Sequence, residues 1–160
     1  MPIQHDLQRG KEGESLVCEL FGQHGFTWQE STTFERLYWD LKLIHSEIVF
    51  TAEVKNDIMA AKTGNIAIEY FNSKKQESSG IDVTKADMWV HIIGGQIFAI
   101  ATANLKDFIK NHSPLRIVEG AGDNNADIML FQAGVILPVF CRLCDISPSK
   151  FLSKIKEILN

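Results

Sequence analysis

Two β-rich runs in the first third of the chain constrain its fold more than any other feature. They are residues 36–44, "RLYWDLKLI", and residues 47–55, "EIVFTAEVK", separated by a short polar segment around His45 and Ser46. Runs of this length with period-two alternation are typical of strands. Because the connection is so short, the sequence predicts that the two strands pair as an antiparallel hairpin.

Helical and strand patterns share the rest of the chain. Leu16, Val17, Leu20 and Phe21 recur at helical spacing, which predicts an amphipathic helix over residues 11–23. Further strands are predicted at residues 65–71, 87–93 and 96–102, helices at 103–112 and 147–159, and strands around a Gly/Asn turn within 116–140. With 160 residues and no repeat or linker, the sequence predicts one α/β domain over residues 1–160.

Composition and charge limit the classes of function. No apolar run approaches the roughly 18 residues that span a bilayer, and the start "MPIQHDLQRG" lacks the apolar core of a secretory signal. We therefore expect a cytoplasmic protein without a membrane partner. The net charge of −4 argues against nonspecific coating of nucleic acid. Acids gathered around a divalent cation would lower this charge while the metal locally reverses its effect.

Cys141 and Cys144 form one CxxC pair, "CRLC". A structural zinc site needs four ligands, and the sequence has no second CxxC and no HxxxH. Two ordinary, partly buried thiols are therefore the expectation for this pair.

Opposite charges interrupt the apolar second strand of the hairpin. Side chains alternate between the faces of a strand, so Glu53 and Lys55 share one face. Asp40 on the first strand joins this face if the hairpin loop has an even length. A turn at residues 46–47 places Asp40 directly opposite Glu53, and a turn at 45–46 places it diagonally. A three-residue loop would separate them.

Two carboxylates beside a lysine suit hydrolysis of a phosphodiester. This reaction needs a hard cation on oxygen ligands, an attacking water, and positive charge where negative charge develops. Asp40, Glu53 and the Val54 carbonyl would hold Mg²⁺, with Mn²⁺ as the alternative ion. Lys55 would orient or deprotonate the water and stabilise the developing charge. The alternative is an ordinary solvated strand face on which Glu53 and Lys55 pair with charged neighbours.

A further acid lies on the predicted first helix. Glu14 is in line with Val17, Cys18 and Phe21, which should face the sheet. A buried carboxylate needs a partner, and here this would be a cation or a water bound to one. The alternative is a first-turn glutamate favoured by the helix dipole, with Glu12 in a similar role.

The order of these residues resembles the PD-(D/E)XK nuclease superfamily, which includes restriction enzymes, Holliday junction resolvases and some homing endonucleases. The resemblance rests on Glu14 in a helix, Asp40 in a strand, a 12-residue gap, and Glu53-Val54-Lys55 in the next strand. It covers residues 10–95, where "GNIAIEY" and "SSGIDVTKADMWVHII" are similar to small phage and intron-associated members. The resemblance implies an α/β fold with a mixed central β-sheet flanked by helices, a restriction-endonuclease-like core, and Mg²⁺-dependent cleavage of DNA.

Each site residue takes its role from this resemblance. Asp40 and Glu53 match the metal-binding acids, Lys55 the catalytic lysine, and Glu14 the helical glutamate found in part of the superfamily. The sequence departs from the family name at one position, where Trp39 replaces the proline before the first acid.

Contacts with double-stranded DNA are expected from a polar segment downstream. A flexible polar loop can follow a phosphate backbone, which makes Lys74, Lys75 and Ser79 candidate DNA-binding residues. Thr84 and Lys85 lead into the next strand and are further candidates, because the family resemblance implies that Thr84 lies near the DNA. A solvated loop explains the two adjacent lysines equally well.

We expect a small metal-dependent DNA endonuclease, of the site-specific homing type, in a prokaryotic or phage-infected cell. A chain of 160 residues has little surface for reading a long site, so a homo-oligomer, either dimer or tetramer, is expected. The alternatives are a Holliday junction resolvase, a noncatalytic DNA-binding subunit, and a small-ligand module that uses the loop at residues 120–125.

Overall fold

Two β-sheets form the framework of the protein. The structure, a computed structural model, describes residues 2–122 and 125–160. The larger sheet is mixed and has the strand order β1-β2-β3-β6-β7-β10, and the smaller one is antiparallel with the order β5-β4-β9-β8. The strands are β1 (Thr27–Glu30), β2 (Leu41–His45), β3 (Ile48–Asn56), β4 (Asn65–Asn72), β5 (Glu77–Ser78), β6 (Met88–Ile93), β7 (Gln96–Ala101), β8 (Arg116–Ala121), β9 (Ala126–Gln132) and β10 (Cys141–Arg142).

Helices flank this framework, so the predicted α/β class with a mixed sheet is confirmed. The α-helices are α1 (Pro2–Gln23), α2 (Ala60–Thr63), α3 (Thr102–Asn111), α4 (Ala133–Ile136) and α5 (Pro148–Leu159). α1 begins at Pro2 instead of residue 11, because the run of apolar residues at helical spacing that the prediction used begins only at Leu16. Among the described residues, no helix has the length and apolar character needed to cross a membrane.

The hairpin of β2 and β3 has the register that the even-loop prediction required. His45 pairs with Ile48, so the turn consists of Ser46 and Glu47. β2 is shorter than predicted, because it begins at Leu41 and the residues before it form a loop with a 3₁₀ turn at Glu35–Leu37. Asp40 is therefore the residue immediately before β2, and not part of a strand.

Apolar side chains cover both faces of the larger sheet. On one face Phe21 of α1 packs edge to face against Phe50 of β3 and Phe151 of α5. On the other face Trp89 of β6 joins Ile68 and Phe131 of the smaller sheet in a second buried cluster. Glu53 and Lys55 are on the same face as Trp89; Glu53 is buried there, and Lys55 lies at the edge with 31% of its side chain exposed.

A long crossover places β3 beside β6. These strands are parallel, with Glu53 opposite Trp89 and Lys55 opposite His91. Parallel neighbours need a long connection, and residues 57–87 supply it while adding β4 and β5 to the smaller sheet. Glu53 and Lys55 therefore lie on one of the two central strands of the larger sheet, next to β6.

The two cysteines of the CxxC pair are not joined to each other. Cys141 is half-buried and Cys144 is exposed, and both are free thiols. The loop at residues 120–125, predicted as a candidate ligand loop, includes Asp123 and Asn124, which lie outside the described residues.

Replacing Gly80 with alanine is expected to destabilise the fold. Gly80 has φ +51°, and an added Cβ would lie 2.1 Å from the carbonyl oxygen of Glu69. Strain at such a backbone position costs on the order of 1–3 kcal/mol, and the clash adds to it. Urea denaturation should show a lower free energy of unfolding.

Gly134→Ala in α4 is the matched control. Among the described residues outside its own helical turn, no atom lies within 4 Å of the position that an added Cβ would take. Alanine also favours a helix over glycine. A Gly80→Ala protein as stable as the Gly134→Ala protein would contradict the close approach to Glu69.

Candidate functional site

A cleft of about 450 Å³ lies beside the carboxyl half of β3. α1, the loop before β2, β3 and β4 all contribute to its walls. Its polar lining includes Glu14, Arg36, Asp40, Lys55 and Glu69. The structure therefore brings three of the four predicted catalytic residues to one cavity, and the fourth, Glu53, does not line it but contacts Lys55, which does.

Asp40 is fixed by the backbone of β3. Its Oδ2 accepts a hydrogen bond of 2.8 Å from the N–H of Val54, and its own N–H donates to the carbonyl of Ala52 at 2.9 Å. The Asp40 carboxylate thus accepts the Val54 N–H, which would otherwise pair with backbone if β2 began earlier in the chain. Because the N–H and C=O of one strand residue point to the same edge, the Val54 carbonyl also points to the side of Asp40.

Glu53 is buried, with 7% of its surface exposed. Its Oε1 is 2.9 Å from Lys55 Nζ, and its Oε2 accepts a hydrogen bond of 3.3 Å from the Thr84 hydroxyl. The same hydroxyl lies 3.0 Å from the Tyr38 carbonyl. Thr84, predicted as a DNA contact, is 4% exposed. The Thr84 side chain is buried in contact with Glu53 and does not line the cleft.

Burial and charge act against each other in this group. Burial raises the pKa of both Asp40 and Glu53, and the positive charge of Lys55 opposes the shift. Burial alone would lower the pKa of Lys55, but Glu53 and Asp40 outweigh it and the pKa is raised. Lys55 is therefore an ammonium at neutral pH, suited to orienting a water and stabilising negative charge. Of the two predicted roles, this favours orientation over deprotonation.

A buried hydrogen-bond chain lies under Lys55. Its Nζ is 5.6 Å from the centre of the Trp89 ring, within cation–π range. The Trp89 indole N–H donates to His91 Nδ1 at 3.2 Å, which leaves the His91 proton on Nε2, 2.9 Å from Asp57 Oδ2. Asp57 also accepts the backbone N–H groups of Ala60 and Ala67. His91 is thus a buried histidine with a partner for each ring nitrogen.

Glu14 has cationic partners within the protein. It is 7% exposed, and it lies 3.2 Å from Lys11 Nζ and 3.6 Å from Arg36 Nη2. Because α1 begins at Pro2, Glu14 and Glu12 are in the middle of the helix, and the alternative of a first-turn glutamate is wrong. Lys11 also pairs with Glu30 of β1 at 3.5 Å.

Arg36 is a cleft residue that the sequence reasoning missed. The period-two pattern assigned residues 36–44 to a strand, whereas Arg36 lies in the 3₁₀ turn Glu35–Leu37. A signal for this turn is present in the sequence, because Thr32 and Glu35 have the spacing of a capping box. Their backbone N–H groups and side chains exchange hydrogen bonds of 3.1 and 3.3 Å.

The predicted DNA-binding residues fall on different surfaces. Lys74 and Lys75 are exposed in the turn between β4 and β5. The Ser79 hydroxyl donates to Glu69 Oε1 at 2.8 Å, which places it at the margin of the cleft. Lys85 lies over the Tyr38 ring at 4.2 Å and lines a separate groove of about 620 Å³.

The ligand set of the cleft is small. Among the described residues, no three Asp, Glu, His or Cys side chains gather as a metal-binding group. Asp40, Glu53 and the Val54 carbonyl offer two carboxylates and one backbone oxygen. This set fits Mg²⁺, which keeps several of its waters and commonly binds through one or two carboxylates.

The structure thus gathers Asp40, Val54 and Lys55 at the cleft, with Glu53 in contact with Lys55. No protein-family model, no curated protein and no solved structure matches this chain.

Proposed function

We propose that the protein is a DNA endonuclease that depends on a divalent cation and uses Asp40, Glu53 and Lys55. The observation that carries the proposal is the contact of 2.9 Å between Lys55 Nζ and Glu53 Oε1, next to Asp40, at a cleft open to solvent. Buried carboxylates with raised pKa values favour a cation partner. Lys55 supplies a single positive charge that acts on both acids.

Each group has a role in the proposed reaction. Asp40, Glu53 and the Val54 carbonyl would hold Mg²⁺, or Mn²⁺ in its place. When bound, the ion would act as a Lewis acid on a phosphate oxygen. Lys55 donates hydrogen bonds to the attacking water or to the phosphate, and its charge stabilises the transition state. Thr84 keeps Glu53 in place.

The surroundings of the cleft support a nucleic-acid substrate. Arg36 and Lys55 line it, and the exposed lysines of the turn between β4 and β5 follow the strand that carries Glu69. The site-specific homing type and the homo-oligomer rest on the family resemblance of the segment at residues 80–89 and on the small size of the chain. Two copies would place one active site on each DNA strand.

The proposal predicts metal-dependent cleavage of plasmid DNA. A pool of supercoiled plasmids with random inserts, which contains many candidate sites, is incubated with the protein and Mg²⁺ or Mn²⁺. We expect nicked and linear products that EDTA abolishes. Glu53→Gln should reduce cleavage by about 10²–10³-fold, the usual cost of removing one group that stabilises the transition state.

Glu47→Gln is the control, because Glu47 is exposed in the hairpin turn and pairs with Lys156 at 3.0 Å. Equal cleavage by the Glu53→Gln protein and the parent would defeat the proposal. A four-way junction and matched linear duplexes then separate two kinds of nuclease. Cleavage of the junction regardless of base order would replace the homing type with a resolvase.

A further inference from the structure

A guanidinium group lines the same cleft as Lys55. The Arg36 side chain is 48% exposed, and its Nη2 is 3.6 Å from Glu14 Oε1. Its positive charge also favours the ionised form of Asp40 and so acts to lower the pKa of that carboxyl group. Arg36 and Asp40 both line the cleft, so a ligand that Asp40 contacts there can also meet the guanidinium.

The loop that carries Arg36 is held at several points. The hydrogen bonds between Thr32 and Glu35 close its 3₁₀ turn, and the Arg36 N–H donates to the Thr32 carbonyl at 3.0 Å. At the two ends of the loop, the Ser31 N–H donates to the Asp40 carbonyl at 3.0 Å. The backbone thus presents Arg36 and Asp40 from one closed loop, which favours a fixed geometry between them.

Glu14 leaves much of the Arg36 guanidinium available. A guanidinium has five N–H donors in a planar fork, and Nη2 is the atom in ion-pair contact with Glu14. Glu14 is shared with Lys11, which is closer at 3.2 Å. The fork of arginine matches the geometry of a phosphate, to which it donates two parallel hydrogen bonds.

We infer that Arg36 binds a DNA phosphate in the cleft and that Glu14 is the positioning residue that aims it. The inference rests on the proposed function, because it takes the ligand of the cleft to be DNA. It gives Glu14 a different role from the helical glutamate of the family resemblance. Glu14 acts through the guanidinium, and the cation does not need it as a ligand.

DNA binding without turnover tests Arg36. Affinity for a short fluorescent duplex of mixed sequence is measured in EDTA at several salt concentrations. Arg36→Ala should weaken binding by roughly 10- to 100-fold, as expected for the loss of a charged hydrogen bond. The slope of log K against log salt should fall in magnitude by about 1. Arg36→Lys should restore the slope and only part of the affinity, because lysine keeps the charge without the fork.

Arg142→Ala is the matched control. The Arg142 side chain is 47% exposed and pairs with Asp145 at 3.3 Å, so its exposure and ion pairing are like those of Arg36. An Arg36→Ala protein with the affinity and salt slope of the Arg142→Ala protein would overturn the inference. If the parent cleaves DNA in that case, the proposed function still stands. If Arg36→Ala weakens binding but the parent never cleaves, the proposed function fails and the phosphate contact survives.

Glu14→Gln separates a positioning residue from a metal ligand. We expect this variant to weaken DNA binding as Arg36→Ala does, with no additional loss when the two changes are combined. The increase in melting temperature caused by Mg²⁺ should match that of the parent protein. A Glu14→Gln protein that loses the Mg²⁺ effect, or keeps parental DNA affinity, would overturn the positioning role.

Discussion

Replacing Lys55 with methionine is expected to reduce DNA cleavage by about 10²–10³-fold, since it removes the ammonium that stabilises the transition state in the proposed reaction. Methionine keeps an unbranched, flexible side chain against Trp89 but donates no hydrogen bond to Glu53. Lys55 contacts Glu53 at 2.9 Å and its positive charge opposes the raised pKa of both acids, so their pKa values should rise further in this variant. Cleavage of the plasmid pool at saturating Mg²⁺ measures the effect.

Lys154→Met is the control for this change. Lys154 lies on α5 and pairs with Glu157 at 3.0 Å, and it is absent from the lining of the cleft. Circular dichroism should show both variants folded. Cleavage by the Lys55→Met protein at the rate of the Lys154→Met protein would remove Lys55 from the active site.

Saturating Mg²⁺ is expected to raise the melting temperature of the parent protein and not that of Asp40→Asn. At about 100 times its Kd, a ligand that binds only the folded state adds about 2.7 kcal/mol to the free energy of unfolding. For a domain of this size each kcal/mol corresponds to about 2–4 °C. The expected increase is therefore roughly 5–10 °C, measured by thermal unfolding with and without EDTA.

Asp87→Asn is a close match for Asp40→Asn. Asp87 Oδ2 accepts a hydrogen bond of 2.9 Å from the N–H of Thr51, also on β3, just as Asp40 Oδ2 accepts one from Val54. Asparagine retains an acceptor oxygen for the β3 N–H at either position. Each variant therefore loses one carboxylate charge, and only Asp40→Asn loses it at the proposed metal site. If both proteins keep the Mg²⁺ effect, Asp40 is not a ligand.

The pH dependence of stability gives a second measure of Asp40. Because burial raises the pKa of Asp40 and Glu53, the folded state binds their protons more tightly than the unfolded state does. The free energy of unfolding should therefore fall as pH rises from the ordinary carboxyl range, about 4, through the folded pKa values. Mg²⁺ should reduce this fall, because the cation competes with the protons. Asp40→Asn should reduce it without metal, as urea unfolding across pH would show.

Local pattern was sufficient to predict the hairpin. Alternation from Ile48 to Lys55 fixed the two faces of β3, and the even-loop argument placed Asp40 next to Glu53. Helical spacing likewise located α3 and α5. These elements were predictable because their apolar faces are regular and pack against a single neighbouring layer.

Long-range contacts could not be read from local pattern. Thr84 is 31 residues from Glu53 along the chain, and its role follows from the placement of the crossover. Arg36 was missed because an alternating pattern outweighed the capping box at Thr32 and Glu35. The division into two sheets depends on β4 pairing with β9, which periodicity does not specify. The contact between Trp89 and Lys55 also depends on tertiary structure, because it requires β6 to pair with β3.

The parallel pairing of β3 and β6 has a consequence for the order in which the candidate site forms. Residues 57–87 must form a closed loop before Glu53 can lie beside Trp89 or accept the Thr84 hydroxyl. Closure of a long segment costs conformational entropy before its contacts repay it, so this step should be slow. A nascent chain should therefore have the hairpin that carries Glu53 and Lys55, preceded by Asp40, before the cleft around these residues is complete.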